Sequence, residues 1–166
     1  MNMTDIVLIA HNLRSTHNVG SLLRTADGLG VGRVYLTGYT PYPLQSVDDR
    51  LPHLAAKMDR QIAKTALGAE KSVSWEHCPD IESVITSLKS DGYTVAALEQ
   101  ASDSIKLPGY QPPAKIAILL GREAEGIEPE ILALCDLTLE IPMFGAKESF
   151  NVVQAAAMAL YHLRFH

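Results

Sequence analysis

The C-terminal quarter of the sequence constrains the fold more than any other stretch. Residues 137–141 form a short apolar run that ends at Pro142, and an apolar segment begins at Val152. Between Val152 and Leu160 the one polar residue is Gln154, and four of the nine positions are alanine. A helix that is apolar on all faces must be buried on all faces. This stretch therefore predicts a strand, a loop and a buried terminal helix whose alanines let other backbone approach closely.

A polar triplet, Ser149-Phe150-Asn151, lies immediately before this helix. Either Ser149 or Asn151 is predicted to cap the helix by accepting a hydrogen bond from one of its first backbone N–H groups. A buried core helix would account for residues 152–160, but it would not account for the polar residues at their start. Small ligands commonly bind where strand ends meet helix N-termini. We therefore interpret the triplet as part of a ligand site.

The length and composition predict one domain over residues 1–166, long enough to bury a substantial core. No apolar run approaches the ~20 residues of a membrane span, and the first ten residues do not resemble a signal peptide. Cys78 and Cys135 are isolated in the sequence, which is typical of reduced thiols and predicts a cytoplasmic protein. The six histidines lack metal-ligand spacing, so no metal site is predicted.

The net charge of -5 argues against a nucleic-acid partner, but the charge is distributed unevenly along the chain. Residues 1–64 carry seven Lys or Arg and five Asp or Glu, whereas residues 65–166 carry seven and fourteen. Contact with phosphate depends on the local field rather than on the total charge, so the first part predicts a basic face. Its candidates are Arg14, Arg24, Arg33, Arg50, Lys57, Arg60 and Lys64. Arg33 and Lys57 are equally compatible with ordinary solvated surface charges.

Apolar runs and helical periodicity alternate along the chain. Strands are predicted at residues 6–10, 34–37, 73–75, 94–98, 116–120 and 137–141. Helices are predicted at residues 18–27, opened by Thr16 or Asn18, and at residues 54–66, 81–88 and 128–134. This alternation indicates a parallel α/β architecture. Because no Gly-x-Gly-x-x-Gly follows the first strand, an ordinary dinucleotide-binding fold is disfavoured.

Three stretches resemble, in the same order, the three motifs of the SpoU (TrmH-like) branch of the SPOUT RNA methyltransferases. They read NVGSLLRTA (Asn18 to Ala26), LLGREAEGI (Leu119 to Ile127) and IPMFGAKESFNVVQAAAMAL (Ile141 to Leu160), and together they span nearly the whole chain. Phe150 and Val153 replace the Leu and Ser that are usual in the third motif. The resemblance implies a single-domain, parallel-sheet α/β-knot fold with a C-terminal trefoil knot and no added RNA-binding domain.

The resemblance also implies an activity, which is transfer of a methyl group from S-adenosylmethionine to a ribose 2'-hydroxyl of RNA. A homodimer is expected to act on tRNA, which is slightly favoured, or on rRNA. The cofactor is expected to lie against loops that follow three strand ends. The residues implied in its binding are Leu98, Glu99, Gly121, Ile141, Met143, Ser149 and Phe150.

Five residues are implied in catalysis by their motif positions: Arg24, Asn18, Glu123, Ser149 and Asn151. Relatives place the arginine that matches Arg24 at the reacting hydroxyl. Because a guanidinium is not normally deprotonated, we expect it to orient the hydroxyl and stabilise charge rather than act as the base. Asn18 is expected to cap its helix or orient substrate, and Glu123 to hold Asn18, Arg24 or the ribose.

Two alternatives come from other functional classes. One is a catalytically silent dimer that binds RNA with the same fold, which the presence of Arg24 and Asn151 disfavours. The other is an enzyme that uses the same cofactor to methylate a base, as other SPOUT branches do. Asn18 and Arg24 in the first motif favour the ribose over the base.

Overall fold

The computed structural model describes residues 3–166 and shows one α/β domain. The strands of the described chain are β1 (Asp5–His11), β2 (Arg33–Thr37), β3 (Trp75–Cys78), β4 (Thr94–Leu98), β5 (Ile105–Lys106), β6 (Lys115–Leu120) and β7 (Leu137–Glu140). Its helices are α1 (Thr16–Gly28), α2 (Pro52–Ala66), α3 (Ala69–Ser72), α4 (Ile81–Ser90), α5 (Pro129–Leu132) and α6 (Val152–Phe165). The seven strands form one sheet in the order β3-β2-β1-β6-β4-β7-β5, with every pair parallel, as the alternation predicts.

The centre of the sheet is apolar on both faces because helices cover both. Along β1, Ile6 and Leu8 belong to a core shared with α1, α2 and α6, whereas Val7 and Ile9 belong to a core shared with α4 and α5. Residues 116–120 of β6 are buried throughout. Strands buried on both faces read as continuous apolar runs, which is why these two were predicted nearly to the residue.

The structure differs from the sequence prediction in the start of the third strand, in an added strand and in the cap of α1, and α5 is shorter than predicted, at Pro129–Leu132. The third strand begins at Trp75 rather than at Val73, because residues 69–72 form the short helix α3 and Val73 ends it by donating to the Ala69 carbonyl. The two-residue strand β5 was not predicted, since both of its residues are exposed and it carries no apolar pattern. Helix α1 is capped by Ser15, whose hydroxyl accepts from the Asn18 N–H, and not by Thr16 or Asn18.

Helix α6 is buried along one face only, so the predicted burial on all faces was wrong for a single chain. Its buried residues are Ala156, Ala159, Leu160 and Leu163, whereas Met158, Tyr161 and Phe165 are exposed. The end of the helix is held by Arg164, whose guanidinium donates to the carbonyls of Leu29, Thr4 and Gly30. These bonds fix the C-terminus against the start of β1. No helix within residues 3–166 is both long and apolar enough to cross a membrane.

Gly20, inside the first motif, sets the distance between α1 and α2. A Cβ there would lie 2.9 Å from the Ala66 amide nitrogen and closer still to Thr65 Oγ1 and the Ile62 carbonyl. The Thr65 hydroxyl donates to the His17 carbonyl at 2.8 Å across the same contact. Glycine is needed because the two helix backbones approach more closely than a side chain allows. The contact places the basic residues of α2 beside α1.

Candidate functional site

A cleft of about 460 Å³ opens at the edge of the sheet where β4, β6 and β7 end. The carboxyl ends of parallel strands meet at this edge, which is where ligands bind in open α/β sheets. The segments that follow the three strands line the cleft together with the start of α6. All seven residues expected at the cofactor lie in this lining: Leu98, Glu99, Gly121, Ile141, Met143, Ser149 and Phe150.

The loop after β6 is folded tightly and needs two glycines. Arg122 and Gly126 form an antiparallel bridge, with N–H···O distances of 3.2 and 3.1 Å. A Cβ on Gly121 would lie 2.5 Å from Ile127 Cγ1 and 2.7 Å from the Gly126 carbonyl carbon. Gly126 has a φ of 75° and faces the Glu99 carboxylate, which leaves no room for a side chain. The two glycines therefore let the loop fold closely against Ile127 and Glu99, while Arg122, Glu123 and Glu125 of the same loop line the cleft.

Glu99 joins this loop to the end of β4. Its Oε2 accepts from the Ile127 N–H at 3.2 Å, and its Oε1 accepts from the Gln100 N–H at 2.9 Å. The carboxylate expected to contact the cofactor is thus also used to fix the β6 loop.

The loop between β7 and α6 forms the opposite wall. Asn151, rather than Ser149, caps α6, because its side-chain oxygen accepts from the Val153 N–H at 2.9 Å. Gln100 Nε2 donates to the Glu148 carbonyl at 2.6 Å and ties this loop to β4. Ser149 is exposed and Phe150 is 39% exposed at the cleft. The structure thus settles that Asn151 caps the helix, and it places Ser149 in the cleft lining.

Glu123 connects the cleft to the first motif. Its carboxylate accepts from the backbone N–H groups of Arg14 and Ser15, both at 3.1 Å, and from Asn18 Nδ2 at 3.3 Å. Burial alone raises the pKa of Glu123, but the hydrogen bonds from Ser15, Arg14 and Asn18 outweigh it and hold the pKa below its usual value. The ionised carboxylate also lies at the N-terminus of α1, where negative charge is stabilised. Of the three partners predicted for Glu123, the structure provides Asn18.

Arg24 lies farther along α1 and does not line the cleft. It is six residues beyond Asn18, which is about 9 Å along a helix. Its side chain is exposed and makes no ion pair with any of residues 3–166. Within one chain, therefore, the structure brings Asn18 and Glu123 together but leaves Arg24 on the open surface of α1.

The predicted basic face is only partly free. Lys57, Arg60 and Lys64 are exposed at helical spacing on α2, so they share one face. Arg14 is exposed and pairs with Glu125 at 3.0 Å. Arg33 pairs with Glu76 at 3.3 Å near the amino end of β2.

Arg50 is a structural residue, so its expected place on an open basic face was wrong. Its guanidinium pairs with Asp48 at 2.5 Å, donates to the carbonyls of Tyr42 and Pro43, and lies 3.6 Å from the centre of the Tyr42 ring. Tyr42 in turn stacks on His77, with ring centroids 3.8 Å apart. These contacts link both ends of the loop of residues 42–50 to each other and to β3. The sequence could not reveal them, since they depend on the folded path of that loop.

A polar cluster beneath the cleft was not predicted. Asn12, at a φ of 56°, donates through Nδ2 to Glu128 Oε1 at 3.1 Å and accepts at Oδ1 from the Tyr39 N–H at 3.0 Å. His11 Nε2 lies 3.8 Å from Glu128 Oε2, and Arg122 Nε lies 3.6 Å from Glu128 Oε1. Burial, the largest effect, lowers the pKa of His11, although Glu128 acts to raise it. Asparagine adopts a positive φ more readily than most residues, and the contacts that Asn12 makes from it depend on the folded path of the chain, so the sequence does not show them.

No group of three or more His, Cys, Asp or Glu side chains within the described residues is arranged to hold a metal ion.

Arg14, Ser15 and Asn18 donate hydrogen bonds to the Glu123 carboxylate, and we call this set of contacts the Glu123 clasp. It makes the free energy of unfolding depend on pH. Because the pKa of Glu123 is lowered on folding, the stabilisation is present above its unfolded pKa and is lost as the pH falls through its folded pKa. We expect Glu123→Gln to lower the free energy of unfolding by about 1 kcal/mol at pH 7, since a charged acceptor becomes neutral. The difference from wild type should disappear in acid, where the wild-type carboxyl is protonated.

The measurement is urea denaturation of both proteins from pH 3 to pH 7. Glu125→Gln is the matched control, because Glu125 makes only a surface pair with Arg14 and should change stability little at any pH. A loss in Glu123→Gln that is the same at pH 3 and pH 7 would contradict an ionised clasp.

Comparisons with known proteins agree with this architecture. The SpoU rRNA Methylase family matches residues 5–161. The tRNA (guanosine(18)-2'-O)-methyltransferase of Saccharomyces cerevisiae is 32% identical over 161 residues, which is 95% of this chain and 10% of that protein. A Staphylococcus aureus protein named for the TrmH family of tRNA/rRNA methyltransferases is 29% identical over 157 residues, which is 95% of this chain and 57% of that protein. The chain thus spans less than two thirds of these curated relatives.

Solved structures share the fold. The AdoMet-bound rRNA methyltransferase from Sinorhizobium meliloti superposes with a TM-score of 0.80 at 19% identity, covering 98% of this chain and 56% of that one. The SpoU methyltransferase AviRb from Streptomyces viridochromogenes, in complex with AdoMet, gives 0.80 at 21% identity, covering 98% of this chain and 58% of that one. The family match runs through all three motifs and through every element from β1 to α6, so this chain belongs to the SpoU methylase family.

Proposed function

We propose that this chain transfers a methyl group from S-adenosylmethionine to a ribose 2'-hydroxyl of RNA. The observation that carries the proposal is the Glu123 clasp, which joins a ligand cleft to the first-motif residue Asn18. Methyl transfer requires the bound cofactor to lie close to the residue that orients the RNA. The hydrogen bond between Glu123 and Asn18 holds Asn18 beside the cleft. Family membership supports the reaction class, and the yeast relative, named for a tRNA ribose, supports tRNA as the substrate.

The cleft suits this cofactor in size, shape and charge. A volume of about 460 Å³ is within the range that holds small ligands. Leu98, Ile141 and Met143 offer an apolar surface for an adenine ring, and Gly121 also lies in the lining. When bound, the cofactor supplies an electrophilic methyl on a sulfonium. Carboxylates in the lining favour that positive charge.

Arg24 is assigned to the reacting ribose. A ribose hydroxyl is a poor nucleophile and needs precise placement and stabilisation of the negative charge that develops on its oxygen. A guanidinium provides both through planar, fixed donors, and it retains its proton throughout. Asn18, held by Glu123, lies on the same helix and is assigned to orienting the RNA.

The RNA surface is assigned to α2 and the loop before it. Lys57, Arg60 and Lys64 share an exposed face of α2, which packs on α1 at Gly20. The field of three cations on one face attracts phosphate even in a chain of net charge -5. Arg50 contributes by holding the loop of residues 38–51 in shape rather than by contacting phosphate.

A homodimer built on α6 is part of the proposal. Met158, Tyr161 and Phe165 are 37%, 61% and 63% exposed and lie along one side of the helix. Aromatic and Met residues are enriched at subunit interfaces, and two copies of one helix face make a symmetric contact. The dimer also allows Arg24, which is free within one subunit, to meet the cleft of the other. The C-terminal trefoil knot is likewise assigned from membership of the family. So is a single SpoU-type domain, which includes the matched residues 5–161.

The role of Arg24 is tested by single-turnover methyl transfer. We expect Arg24→Ala to lower the rate by about 100-fold at saturating RNA, which is typical for one positioned catalytic group, without change in cofactor affinity. Arg24→Lys should fail nearly as severely, because a point charge does not replace a planar fork. The substrate is bulk RNA from a strain that lacks the gene.

Arg60→Ala is the matched control, since Arg60 is an exposed arginine on the neighbouring helix. It should weaken RNA binding mildly, reduce the salt dependence of that binding, and leave the rate at saturating RNA unchanged. An Arg24→Ala protein that methylates at the wild-type rate would reduce Arg24 to a phosphate contact.

The dimer is tested by sedimentation at micromolar protein. The wild type should have the mass of two subunits, and Tyr161→Glu should have the mass of one while remaining folded, because Tyr161 is 61% exposed. Ala156 and Ala159 are unsuitable positions, since both are fully buried in their own chain. Val47→Glu, at an 87% exposed apolar residue on the loop before α2, should stay dimeric. A wild-type mass of one subunit would refute the interface.

A further inference from the structure

Negatively charged side chains outnumber positively charged ones in the lining of the cleft. Four of the lining side chains are carboxylates: Glu99, Glu123, Glu125 and Glu148. Arg122 is the one Lys or Arg side chain in the lining within residues 3–166. Of the Arg122 side-chain nitrogens, only Nε has a hydrogen-bond or ion-pair partner among residues 3–166.

One edge of the Arg122 guanidinium is anchored. Nε donates to the Gly126 carbonyl at 3.2 Å and lies 3.6 Å from Glu128 Oε1. The side chain is 26% exposed, and its two terminal nitrogens make no hydrogen bond or ion pair with residues 3–166. Those nitrogens carry most of the donors of a guanidinium and are arranged to bind a carboxylate with two parallel hydrogen bonds.

Glu128 is itself held in place from the end of β1. Its Oε1 accepts from Asn12 Nδ2 at 3.1 Å, and its Oε2 is buried with no hydrogen-bond partner and faces His11 Nε2 at 3.8 Å. Burial alone raises the pKa of Glu128, but its own backbone N–H, Asn12, His11 and Arg122 outweigh it, so the carboxyl stays ionised. An ionised Glu128 attracts the Nε edge of Arg122 and leaves the opposite edge for a ligand.

We propose that Arg122 binds the α-carboxylate in the amino-acid part of S-adenosylmethionine, with Glu128 as the residue that positions it. The inference rests on the cofactor assigned under the proposed function and adds how that cofactor is oriented. S-adenosylmethionine carries a sulfonium, an ammonium and one carboxylate. The four carboxylates of the lining complement its two cations, and the single guanidinium complements its single anion.

An RNA phosphate fits this position less well. The four carboxylates of the lining repel a phosphate and a carboxylate alike, but S-adenosylmethionine also carries a sulfonium and an ammonium, and their attraction to the lining offsets that repulsion, whereas an RNA phosphate brings no cation. The exposed cations of α2 offer phosphate a site without that repulsion. The carboxylate of the cofactor is therefore the anion that the cleft selects.

The test compares two ligands that differ only in this group. Calorimetry measures the affinity of the full chain for S-adenosylmethionine and for decarboxylated S-adenosylmethionine, which keeps the sulfonium and the amine. The wild type should bind the carboxylated ligand about tenfold or more tightly, the scale of a hydrogen bond to a charged group. Arg122→Gln should bind both ligands with the affinity that the wild type shows for the decarboxylated one.

Three further variants distinguish loss of the ligand contact from a general disturbance of the fold. Glu128→Gln should reduce the preference for the carboxylated ligand without weakening the decarboxylated one, because it loosens Arg122 and removes no ligand contact. Lys147→Gln is the control, since Lys147 is a cation of the β7–α6 loop that does not line the cleft, and it should keep the full preference. Arg122→Lys should keep part of it.

Three results of the ligand comparison would overturn the inference, and a fourth would do so through RNA binding. The three are a wild type with no preference between the ligands, an Arg122→Gln protein that keeps the preference, and an Arg122→Gln protein that loses both affinities equally. An Arg122→Gln protein with unchanged ligand affinities but weaker, salt-dependent RNA binding would instead make Arg122 a phosphate contact and would also overturn it. Failure of the wild type to bind either ligand would contradict the proposed function itself.

Discussion

The carboxylate of Glu123 makes the contact on which the site depends. Glu123 lies on the loop after β6, which lines the cleft. Its carboxylate accepts hydrogen bonds from the backbone N–H groups of Arg14 and Ser15, just before α1, and from the Asn18 side chain on that helix. Two segments far apart in sequence are thereby fixed relative to each other by one charged group. Glu128 makes a second link between the same regions through Asn12. With both links in place, the start of α1 is held at a set position beside the ligand cleft.

The division of α6 into a buried and an exposed side is the observation on which the proposed dimer rests. The alanines and leucines on its buried side pack into the core under α1, whereas the exposed rings of Tyr161 and Phe165 contact each other in a tilted arrangement, with centroids 4.8 Å apart. Exposed aromatic residues at regular spacing on a rigid helix are typical of an interface. The α1 surface that carries Arg24 is equally open in the single chain. Both features are explained together if two subunits complete one site.

The sequence predicted the central strands and the cleft lining well, for different reasons. β4 and β6 are continuous apolar runs because both faces of the sheet are covered, and such runs are easily recognised. The lining residues came from motif resemblance and not from periodicity. The sequence failed where contacts depend on the folded path: Arg50 is bound by its own loop, and Asn12 and Glu128 meet across 116 residues. The one-sided burial of α6 was hidden because its exposed face is also apolar.

The most direct test of the account is the chemical position of the transferred methyl group. Bulk RNA from a strain that lacks the gene would be incubated with the protein and S-adenosylmethionine, digested to nucleosides and analysed by mass spectrometry. Transfer to a ribose 2'-hydroxyl predicts a new nucleoside whose added methyl stays with the ribose when the base is cleaved off. A methyl that leaves with the base would contradict the assignment of Asn18 and Arg24 to a ribose hydroxyl, and an RNA that gains no methyl while both ligands bind would contradict catalysis.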